Sequence, residues 1–529
     1  MAILVSPLQE LGRREEGGGY LHEPRLETMG HAMTRAVRSA AMSEAVDALA
    51  RRHLLRADRQ EDLCFALWHP STGQTRTTAL VERLILPREG ERNVHGNASF
   101  ESHYFTRALS EAAEAGAGLA LMHSHPGGLA WQGMSPDDIN TEQGHAAAVY
   151  GATKFPFVGF TVASDGAWSA RFWERTAPRQ YARQDCTTVR VVGEKLRSTF
   201  MEALAPVPRG TDAQIRTISA WGRKKQADLA RLRVGIVGAG SVGAFIAEGM
   251  ARTGIEDVTV VDFDRIEAKN LDRLLYAKRS NVGVLKAEAL AGHLGECATA
   301  ARFNALPVVA AVYEDAGFRA ALDCNVLFSC VDRPWGRHVL NLIAYAHLIP
   351  VIDGGISVRT NRQEELAAAD WRAHTVTVGH QCMQCIGQYD AGLVQLEREG
   401  YLDDPTYIQG LDKGHPLKAR ENVFAFSMSC ASLQTLQMLA MVLDPLGRSN
   451  PGQQLYHFVG SFMEPSQHGK CSPECLFADI VALGDHCGFE VTGAPPANRD
   501  HVPEKLPERV PSPSLFQRIS RAAKRLFIG

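Results

Sequence analysis

One glycine-rich turn constrains the fold of this 529-residue chain more than any other feature of its sequence. The apolar segment 233–237 predicts a strand, which runs directly into Gly238-Ala239-Gly240-Ser241-Val242-Gly243 and then into a helical pattern. Gly238, Gly240 and Gly243 leave room for a phosphate to approach the backbone and the N-terminus of the following helix. The turn therefore predicts a nucleotide-binding strand–turn–helix unit.

Segments with strand and helix character alternate along the chain from Leu232 onward. This alternation is typical of a doubly wound α/β fold with a parallel, Rossmann-like sheet. The alternating segments are 232–237, 244–251, 257–262, 286–294 and 326–331.

Length and composition bound the alternatives. The length predicts roughly two to four folded units, and the net charge of -3 gives no general attraction to nucleic acid. Serine and glutamine interrupt the apolar stretch 423–443, which predicts a buried helix rather than a membrane span. Eleven cysteines with two close pairs favour metal binding in a reducing cytoplasm over a disulfide framework.

Charged residues follow the strand after the glycine turn. That strand ends at Asp262, where a ribose-binding acid is expected, and a dehydrogenase would show the same pattern to this point. Asp264, Asn270, Arg273 and Lys286 come next. An enzyme that forms an acyl-adenylate must neutralise the ATP triphosphate while a carboxylate attacks the α-phosphorus, whereas hydride transfer needs no such cations. The pattern therefore favours adenylation.

A further acid ends the next predicted strand of the sheet. Asp332 follows segment 326–331, where we expect it to hold Mg²⁺, and Arg337 and Asn341 follow on the next helix. Together with the spacing DxDxxxxxNLxR that begins at Asp262, this set resembles the ThiF/MoeB and ubiquitin-activating enzyme superfamily.

The resemblance spans about residues 212–483 and implies a role for each position. Gly240 and Asp262 would contact adenosine, and Asp332 would hold Mg-ATP. The phosphates would be contacted by Asn270, Arg273 and Lys286. The superfamily also implies a homodimer with an arginine supplied ahead of the first strand, for which Arg216 is the candidate and a surface arginine the alternative interpretation.

Two close cysteine pairs follow the predicted sheet. Cys382 with Cys385, and Cys471 with Cys475, offer the four thiolates of a tetrahedral structural zinc site. The superfamily has such a clamp on its C-terminal lobe.

Ubiquitin-activating enzymes also use a cysteine that carries the activated chain as a thioester. The segment 386–422, where we expect that cysteine, contains none. Cys430, inside an apolar helical pattern, and Cys487, beside a histidine, are the remaining candidates, so thioester formation stays open.

Two histidines end an apolar strand in the N-terminal half. Segment 118–122 predicts a strand that continues into His123-Ser124-His125-Pro126, and the alternation of strand side chains places both histidines on one face. Ser135-Pro136-Asp137-Asp138 follows and is a good helix start. The simpler interpretation is a capping box, and the sharper one is that Asp138 completes a two-histidine, one-carboxylate zinc site with a position open for water.

HxHP followed by SxxD resembles the JAB/JAMM metallopeptidases over about residues 43–175. The resemblance implies a JAB/MPN α/β domain, catalytic zinc on the two histidines and Asp138, and oxyanion stabilisation by Ser135. It also implies a general base, for which Glu61 is the candidate and Glu82 its rival. Nine residues separate His125 from Ser135, where the family usually has seven.

Fusions in this order resemble the combined JAB and activating proteins of bacterial ubiquitin-like conjugation operons. We therefore predict a cytoplasmic, bifunctional enzyme that cleaves a ubiquitin-like protein and adenylates its C-terminal glycine, with a ubiquitin-conjugating enzyme as a further partner. Sulfur-carrier activation and a non-catalytic module that binds ubiquitin-like tails are the alternatives. The predicted units are a flexible leader (1–42), the peptidase (43–175), a linker (176–211), the adenylation domain (212–493), and a proline-rich segment with a basic helix (494–529).

Overall fold

The computed structural model describes residues 36–363, 365–403, 423–448, 450–464, 468–488 and 502–503. In this part of the chain the strands form a nine-stranded sheet, an eight-stranded sheet and a separate two-stranded hairpin. The predicted proline-rich segment and basic helix lie outside the described residues, apart from residues 502–503.

The N-terminal half contributes the nine-stranded sheet, the hairpin and, within residues 36–210, three helices. The strands are β1 (Val37–Ser43), β2 (Leu63–Thr72), β3 (Arg76–Ile85), β4 (Arg92–His95), β5 (Asn97–Phe100), β6 (Gly118–His125), β7 (Phe157–Ala163), β8 (Trp168–Ala177), β9 (Gln180–Asp185), β10 (Thr188–Val192) and β11 (Leu196–Phe200). The helices are α1 (Glu44–Leu54), α2 (Ser102–Glu114) and α3 (Pro136–Thr153).

The C-terminal half contributes the eight-stranded sheet and nine described helices. The strands are β12 (Arg233–Val237), β13 (Asp257–Val261), β14 (Asn304–Val308), β15 (Val326–Ser329), β16 (Val351–Thr360), β17 (Leu366–Val376), β18 (Gln454–His457) and β19 (Phe462–Met463). The helices are α4 (Ile215–Trp221), α5 (Arg223–Ala230), α6 (Ser241–Thr253), α7 (Lys286–Cys297), α8 (Asp315–Leu322), α9 (Pro334–Ala346), α10 (Ala391–Arg398), α11 (Phe424–Leu443) and α12 (Leu476–Asp479).

Strand β1 occupies an interior position of the nine-stranded sheet, whose order is β11-β10-β1-β3-β2-β6-β7-β8-β9. It runs parallel to both β3 and β10. The structure therefore departs from the predicted flexible leader, because residues 37–42 belong to the fold. The segment is a strand because β3 and β10, which come much later in the chain, pair with its two edges. Its seven residues carry no local sequence signal for these partners. Residues 1–35 lie outside the described part of the chain.

The predicted linker 176–211 is also largely part of the sheet. It contains the end of β8 and all of β9, β10 and β11. Pro178 stands in the tight turn between β8 and β9, so this proline marks a hairpin and not a junction between domains. The departure from prediction arises because prolines at hairpin turns and at domain boundaries look alike in sequence.

The eight-stranded sheet confirms the predicted Rossmann-like architecture. Its order is β14-β13-β12-β15-β16-β17-β18-β19, with parallel pairing from β14 to β16 and antiparallel pairing beyond. The chain leaves β12 in one direction for β13 and later returns to β12's other side with β15. This reversal between β12 and β15 is the switch point at which doubly wound sheets bind ligands, at the carboxyl ends of their strands.

Helix α11 confirms the predicted buried helix at 423–443. It is the one described helix that is long and apolar enough, by length and composition alone, to cross a membrane. It packs on α6, β16 and β17. Its buried Gln434 donates to the carbonyl of Ile352 (3.0 Å), and its buried Gln437 donates to that of Ala373 (3.0 Å). These bonds satisfy polar groups against the sheet, as in a core helix.

The turn between β2 and β3 anchors the N-terminal half to Asp323, at the C-terminal end of α8. The carboxylate of Asp323 accepts hydrogen bonds from the backbone amides of Thr75 (3.0 Å) and Arg76 (3.0 Å). The buried guanidinium of Arg76 donates to the carbonyl of Leu322 (2.8 Å). Charge-assisted bonds of this kind, sheltered from water, hold the two sheets together as one body.

Candidate active sites

The glycine turn after β12 adopts a backbone that demands glycine. Gly238 has φ +102°, and a Cβ there would lie 2.5 Å from the carbonyl oxygen of Cys330. A Cβ on Gly243 would lie 1.9 Å from the carbonyl oxygen of Gly238. Gly240 is the N-cap of α6. The turn therefore packs tightly against the end of β15 and opens the N-terminus of α6 at the switch point.

Asp262, at the end of β13, organises the neighbouring backbone. Its two oxygens accept hydrogen bonds from the amides of Ala239 (2.7 Å) and Asp264 (2.7 Å). Burial raises the pKa of Asp262 to about 6, and Lys286 opposes that shift. The predicted ribose-binding acid thus lies directly beside the glycine turn.

Lys286, the first residue of α7, pairs with the same segment. Its Nζ lies 2.7 Å from Oδ2 of Asp264, and its backbone amide donates to the carbonyl of Asp264 (2.8 Å). Burial opposes its charge, but the carboxylates of Asp262 and Asp264 raise its pKa. A partly buried cation therefore stands at the carboxyl edge of the sheet, where the sequence places it.

Asn270 and Arg273 bind within their own loop. Asn270 is buried, and its Oδ1 accepts a hydrogen bond from the amide of Glu267 (3.0 Å). Arg273 donates to the carbonyl of Lys269 (2.5 Å) and to the carboxylate of Asp272 (3.0 Å). Of the predicted phosphate contacts, Lys286 is the one that the structure joins to the carboxylate cluster.

Asp332 follows β15 and is exposed. Since β15 pairs with β12 and Cys330 contacts the glycine turn, Asp332 lies on the turn's side of the switch point. Arg337 instead binds the carbonyls of Gln388 and Gly354 (both 3.3 Å), so it holds the C-terminal segment in place. Arg216 lies exposed on α4.

The four predicted zinc ligands Cys382, Cys385, Cys471 and Cys475 lie together, with all their sulfurs within 4.8 Å of one another. The amide of Cys382 donates to Sγ of Cys471 (3.1 Å), and the amide of Cys385 donates to Sγ of Cys382 (3.3 Å). Such N–H···S bonds stabilise thiolates, and four thiolates at this spacing fit a tetrahedral zinc ion.

Asn341 supports this cysteine cluster, a role that the sequence did not suggest. It is fully buried on α9, and its Oδ1 accepts a hydrogen bond from the amide of Met383 (3.0 Å), between the first two cysteines. A buried asparagine on a helix carries no sequence signal for that contact.

The two remaining cysteine candidates differ in position. Cys430 is buried in α11, and burial raises the pKa of its thiol to about 12, so it belongs to the core and not to an exposed nucleophilic site. Cys487 is half-buried and packs against the core of the C-terminal half.

The N-terminal half brings its predicted metal ligands into one cluster. Nε2 of His123 and Nε2 of His125 are 3.2 Å apart, and the carboxylate oxygens of Asp138 lie 3.5 Å and 3.3 Å from them. Strand alternation on β6 puts both histidines on the face that α3 covers. The two ring nitrogens and the carboxylate lie close enough together to act as ligands of one metal ion, and they match the donor types of an open three-ligand zinc site.

Ser135 and Asp138 start α3 as a reciprocal cap. The amide of Asp138 donates to Oγ of Ser135 (3.1 Å), and the amide of Ser135 donates to Oδ2 of Asp138 (2.8 Å). The capping box is therefore confirmed, and it also aims the Asp138 carboxylate at the two histidines. Zinc binding by Asp138 stays a prediction. Burial opposes its ionisation, but bonds to His123 and His125 lower the pKa of Asp138.

Glu61 lies beside this cluster. Strands β2 and β6 pair antiparallel with Leu63 opposite His123, so extending the register by two residues places Glu61 opposite His125. Burial raises the pKa of Glu61, and the histidines oppose that shift. The rival Glu82 lies on β3 and binds His69 (3.0 Å) instead.

A buried ion pair fixes α3 one turn beyond Asp138. Glu142 accepts hydrogen bonds from the guanidinium of Arg171 on β8 and from Nε1 of Trp173 (2.7 Å). Arg171 also donates to Oγ1 of Thr161 (2.6 Å), which lies 3.3 Å from Nε2 of His123. The network therefore links the helix that carries Asp138 to the strands that carry the histidines.

The lengthened loop between His125 and Ser135 rests on the turn between β7 and β8. The amide of Gly127 donates to Oγ of Ser164 (2.6 Å), and that of Ala130 donates to Asp165 (3.0 Å). The extra residues are thus held at the side, and the ligand cluster is not displaced.

The chain is similar to known proteins over part of its length. The sequence model of the ThiF family matches residues 211–474. The adenylyltransferase and sulfurtransferase UBA4 of Yarrowia lipolytica (strain CLIB 122 / E 150) is 30% identical over 139 residues, 26% of this chain and 33% of the relative. The tRNA threonylcarbamoyladenosine dehydratase of Escherichia coli (strain K12) is 40% identical over 75 residues, 14% of this chain and 28% of the relative.

Among solved structures, E. coli MccB with succinimide matches with a TM-score of 0.39 and 16% identity, covering 51% of this chain and 74% of that chain. The matched region spans about a third or less of the length of either curated relative. The family match begins at residue 211, beyond the nine-stranded sheet.

Proposed function

We propose that the ThiF-family domain at residues 211–474 uses ATP to adenylate the C-terminal carboxylate of a small carrier protein or peptide. The arrangement of Lys286, Asp264 and Asp262 beside the glycine turn carries this proposal, because it places a partly buried cation next to the backbone turn and helix N-terminus at the switch point.

The reaction needs charge neutralisation more than it needs proton transfer. A carboxylate oxygen of the carrier attacks the α-phosphorus of ATP, the bond to the β-phosphate oxygen breaks, and pyrophosphate leaves. Lys286 would release Asp264 to bind a phosphate, while the amides at the start of α6 would face another. Mg²⁺ held by Asp332 would supply further positive charge.

A sulfur carrier is favoured over a ubiquitin-like modifier as the substrate. One relative is named for both adenylyl and sulfur transfer. Segment 386–422 has no cysteine, and Cys430 is buried, so an internal thioester finds no exposed thiol in either place. The adenylate would then pass to a sulfur donor and give a thiocarboxylate, whereas ubiquitin-like conjugation is the second form of this proposal.

ATP–pyrophosphate exchange tests the adenylation. The carrier candidate is a small sulfur-carrier protein that ends in glycine, used intact and with its C-terminal residue deleted. Exchange should require the intact terminus and should fall in Lys286→Ala but not in Lys278→Ala, an exposed lysine nearby. Equal exchange with both carriers, or none with the intact one, would argue against the proposal. Mass spectrometry of the carrier then separates thiocarboxylate from a protein thioester.

The N-terminal cluster supports a second activity, zinc-dependent peptide cleavage. The convergence of His123, His125, Asp138 and Glu61 carries it. Zinc bound there would polarise the scissile carbonyl and acidify a water. Glu61, whose pKa burial raises, would accept that proton and deliver it to the leaving amine. The peptidase would trim the carrier before adenylation or remove it from targets.

Cleavage of an extended carrier tests this activity. The substrate is the carrier candidate with a short peptide added after its C-terminal residue. The parent should release that peptide, Glu61→Gln should lose at least about 100-fold in rate, and Glu82→Gln, the matched carboxylate on β3, should stay near the parent. Binding of the carrier without cleavage by the parent would instead indicate a non-catalytic binding module.

A further inference from the structure

A third cluster of metal-ligand side chains joins α6 to α7. It contains Glu248, His293 and Cys297, whose ligand atoms lie within 4.8 Å of one another. Nε2 of His293 is 2.7 Å from Oε2 of Glu248. None of these residues takes part in the proposed adenylation or cleavage.

The spacing on α7 is suited to chelation. His293 and Cys297 are four residues apart, so they project from the same face of the helix, toward α6. All three side chains are half-buried, which leaves them reachable from solvent yet partly desolvated. Imidazole nitrogen, thiolate sulfur and carboxylate oxygen are the three donor types that zinc accepts in tetrahedral sites.

Arg252 orients the carboxylate. Its Nε lies 2.5 Å from Oε1 of Glu248, one turn along α6, and it leaves Oε2 facing His293. A metal ion would take the place of the shared hydrogen between Oε2 and Nε2, and the arginine would remain as the outer partner that fixes the carboxylate.

We propose that Glu248, His293 and Cys297 bind one zinc ion, with a water as the fourth ligand, and that this ion crosslinks α6 to α7. The location of the two helices indicates a structural role for the crosslink. Helix α6 starts at the glycine turn and α7 starts at Lys286, so a crosslink between them fixes the spacing of the two elements that approach the phosphates. Removing the ion should loosen that edge of the sheet.

Metal protection of one thiol in the unmodified full chain tests the proposal. The chain is stripped with a chelator, refilled with zinc alone, and treated with iodoacetamide, and alkylation of Cys297 is followed by peptide mass spectrometry. Zinc should slow alkylation of Cys297 at least about tenfold, because a coordinated thiolate is not free to react. An unchanged rate at Cys297 would overturn the proposal.

The zinc content of variants is an independent test of the proposal. His293→Ala and Cys297→Ser should each carry about one zinc ion fewer per chain than the parent, whereas His103→Ala, an exposed helical histidine outside the three clusters, should carry the parent's number. Cobalt substitution should show a thiolate charge-transfer contribution that Cys297→Ser removes. Equal zinc content and equal cobalt spectra in parent and variants would overturn the proposal. If either variant fails to fold, Glu248→Gln, which keeps the side chain's shape, replaces it.

Discussion

Lys286 contacts Asp264 twice, once through its ammonium group (2.7 Å to Oδ2) and once through its backbone amide (2.8 Å to the carbonyl oxygen). The backbone contact fixes where α7 begins. The ion pair holds the ammonium group next to Asp264, close to the glycine turn. A lysine held in this way is oriented before a nucleotide arrives, which lowers the cost of ordering it on binding.

Replacing that lysine should impair adenylation strongly. In Lys286→Ala, the rate of ATP–pyrophosphate exchange should fall by about 10²–10³, the scale of losing one positioned donor to a developing negative charge. The fold should survive because the backbone contact to Asp264 remains. Exchange kinetics beside Lys278→Ala measure the effect, and a loss below about threefold would remove Lys286 from the site.

Asp262 should make stability depend on pH in a defined direction. Burial raises its pKa to about 6 in the folded chain from an ordinary 3.8, so the folded state holds the proton more tightly than the unfolded state does. Its contribution to the free energy of unfolding should therefore fall as pH rises from about 4 to about 6.

Asp262→Asn should lose this pH-dependent contribution to the free energy of unfolding. Urea unfolding of parent and variant at several pH values in this window measures the difference, with the parent curve descending relative to that of the variant. Two curves that run parallel would show that the carboxyl titrates normally.

Breaking the buried pair behind Asp138 should destabilise the N-terminal half. Glu142→Ala leaves the guanidinium of Arg171 buried without its carboxylate, which costs about 3–5 kcal/mol. Zinc bound by His123, His125 and Asp138 should also become weaker, because α3 loses its anchor. Chemical unfolding and zinc titration measure the two effects. The exposed Glu89→Ala is the control, and a change under about 1 kcal/mol would contradict the assigned role.

Asn341 should matter to metal retention at the four cysteines. In Asn341→Ala the amide of Met383 loses its acceptor, and zinc affinity should drop by about 10–100-fold, as for other groups that orient metal ligands. Competition with a coloured chelator measures this affinity. If the variant keeps zinc as tightly as the parent, the contact is incidental.

The sequence predicted those features that local patterns encode. The glycine turn, the two histidines on one face, the cap at Ser135 and the cysteine pairs each depend on residues a few positions apart, and the structure brings each set together. Period-two and period-3.6 patterns carry such information directly.

Features that depend on distant partners escaped prediction. Val37–Ser43 is a strand only because β3 and β10 flank it, and Asp323 meets Thr75 only because the two halves pack together. Asn270 and Arg273 match the superfamily spacing, yet their bonds lie within their own loop. Spacing constrains where a residue stands and leaves its side-chain partner undetermined.

Direct nucleotide binding tests the central claim without a carrier. Isothermal titration calorimetry of the full chain should show binding of Mg-ATP, weakened in Lys286→Ala and retained in Lys278→Ala, and no comparable binding of NAD. Tight binding of NAD with no binding of Mg-ATP would contradict the account. The glycine turn and Asp262 would then indicate a dehydrogenase.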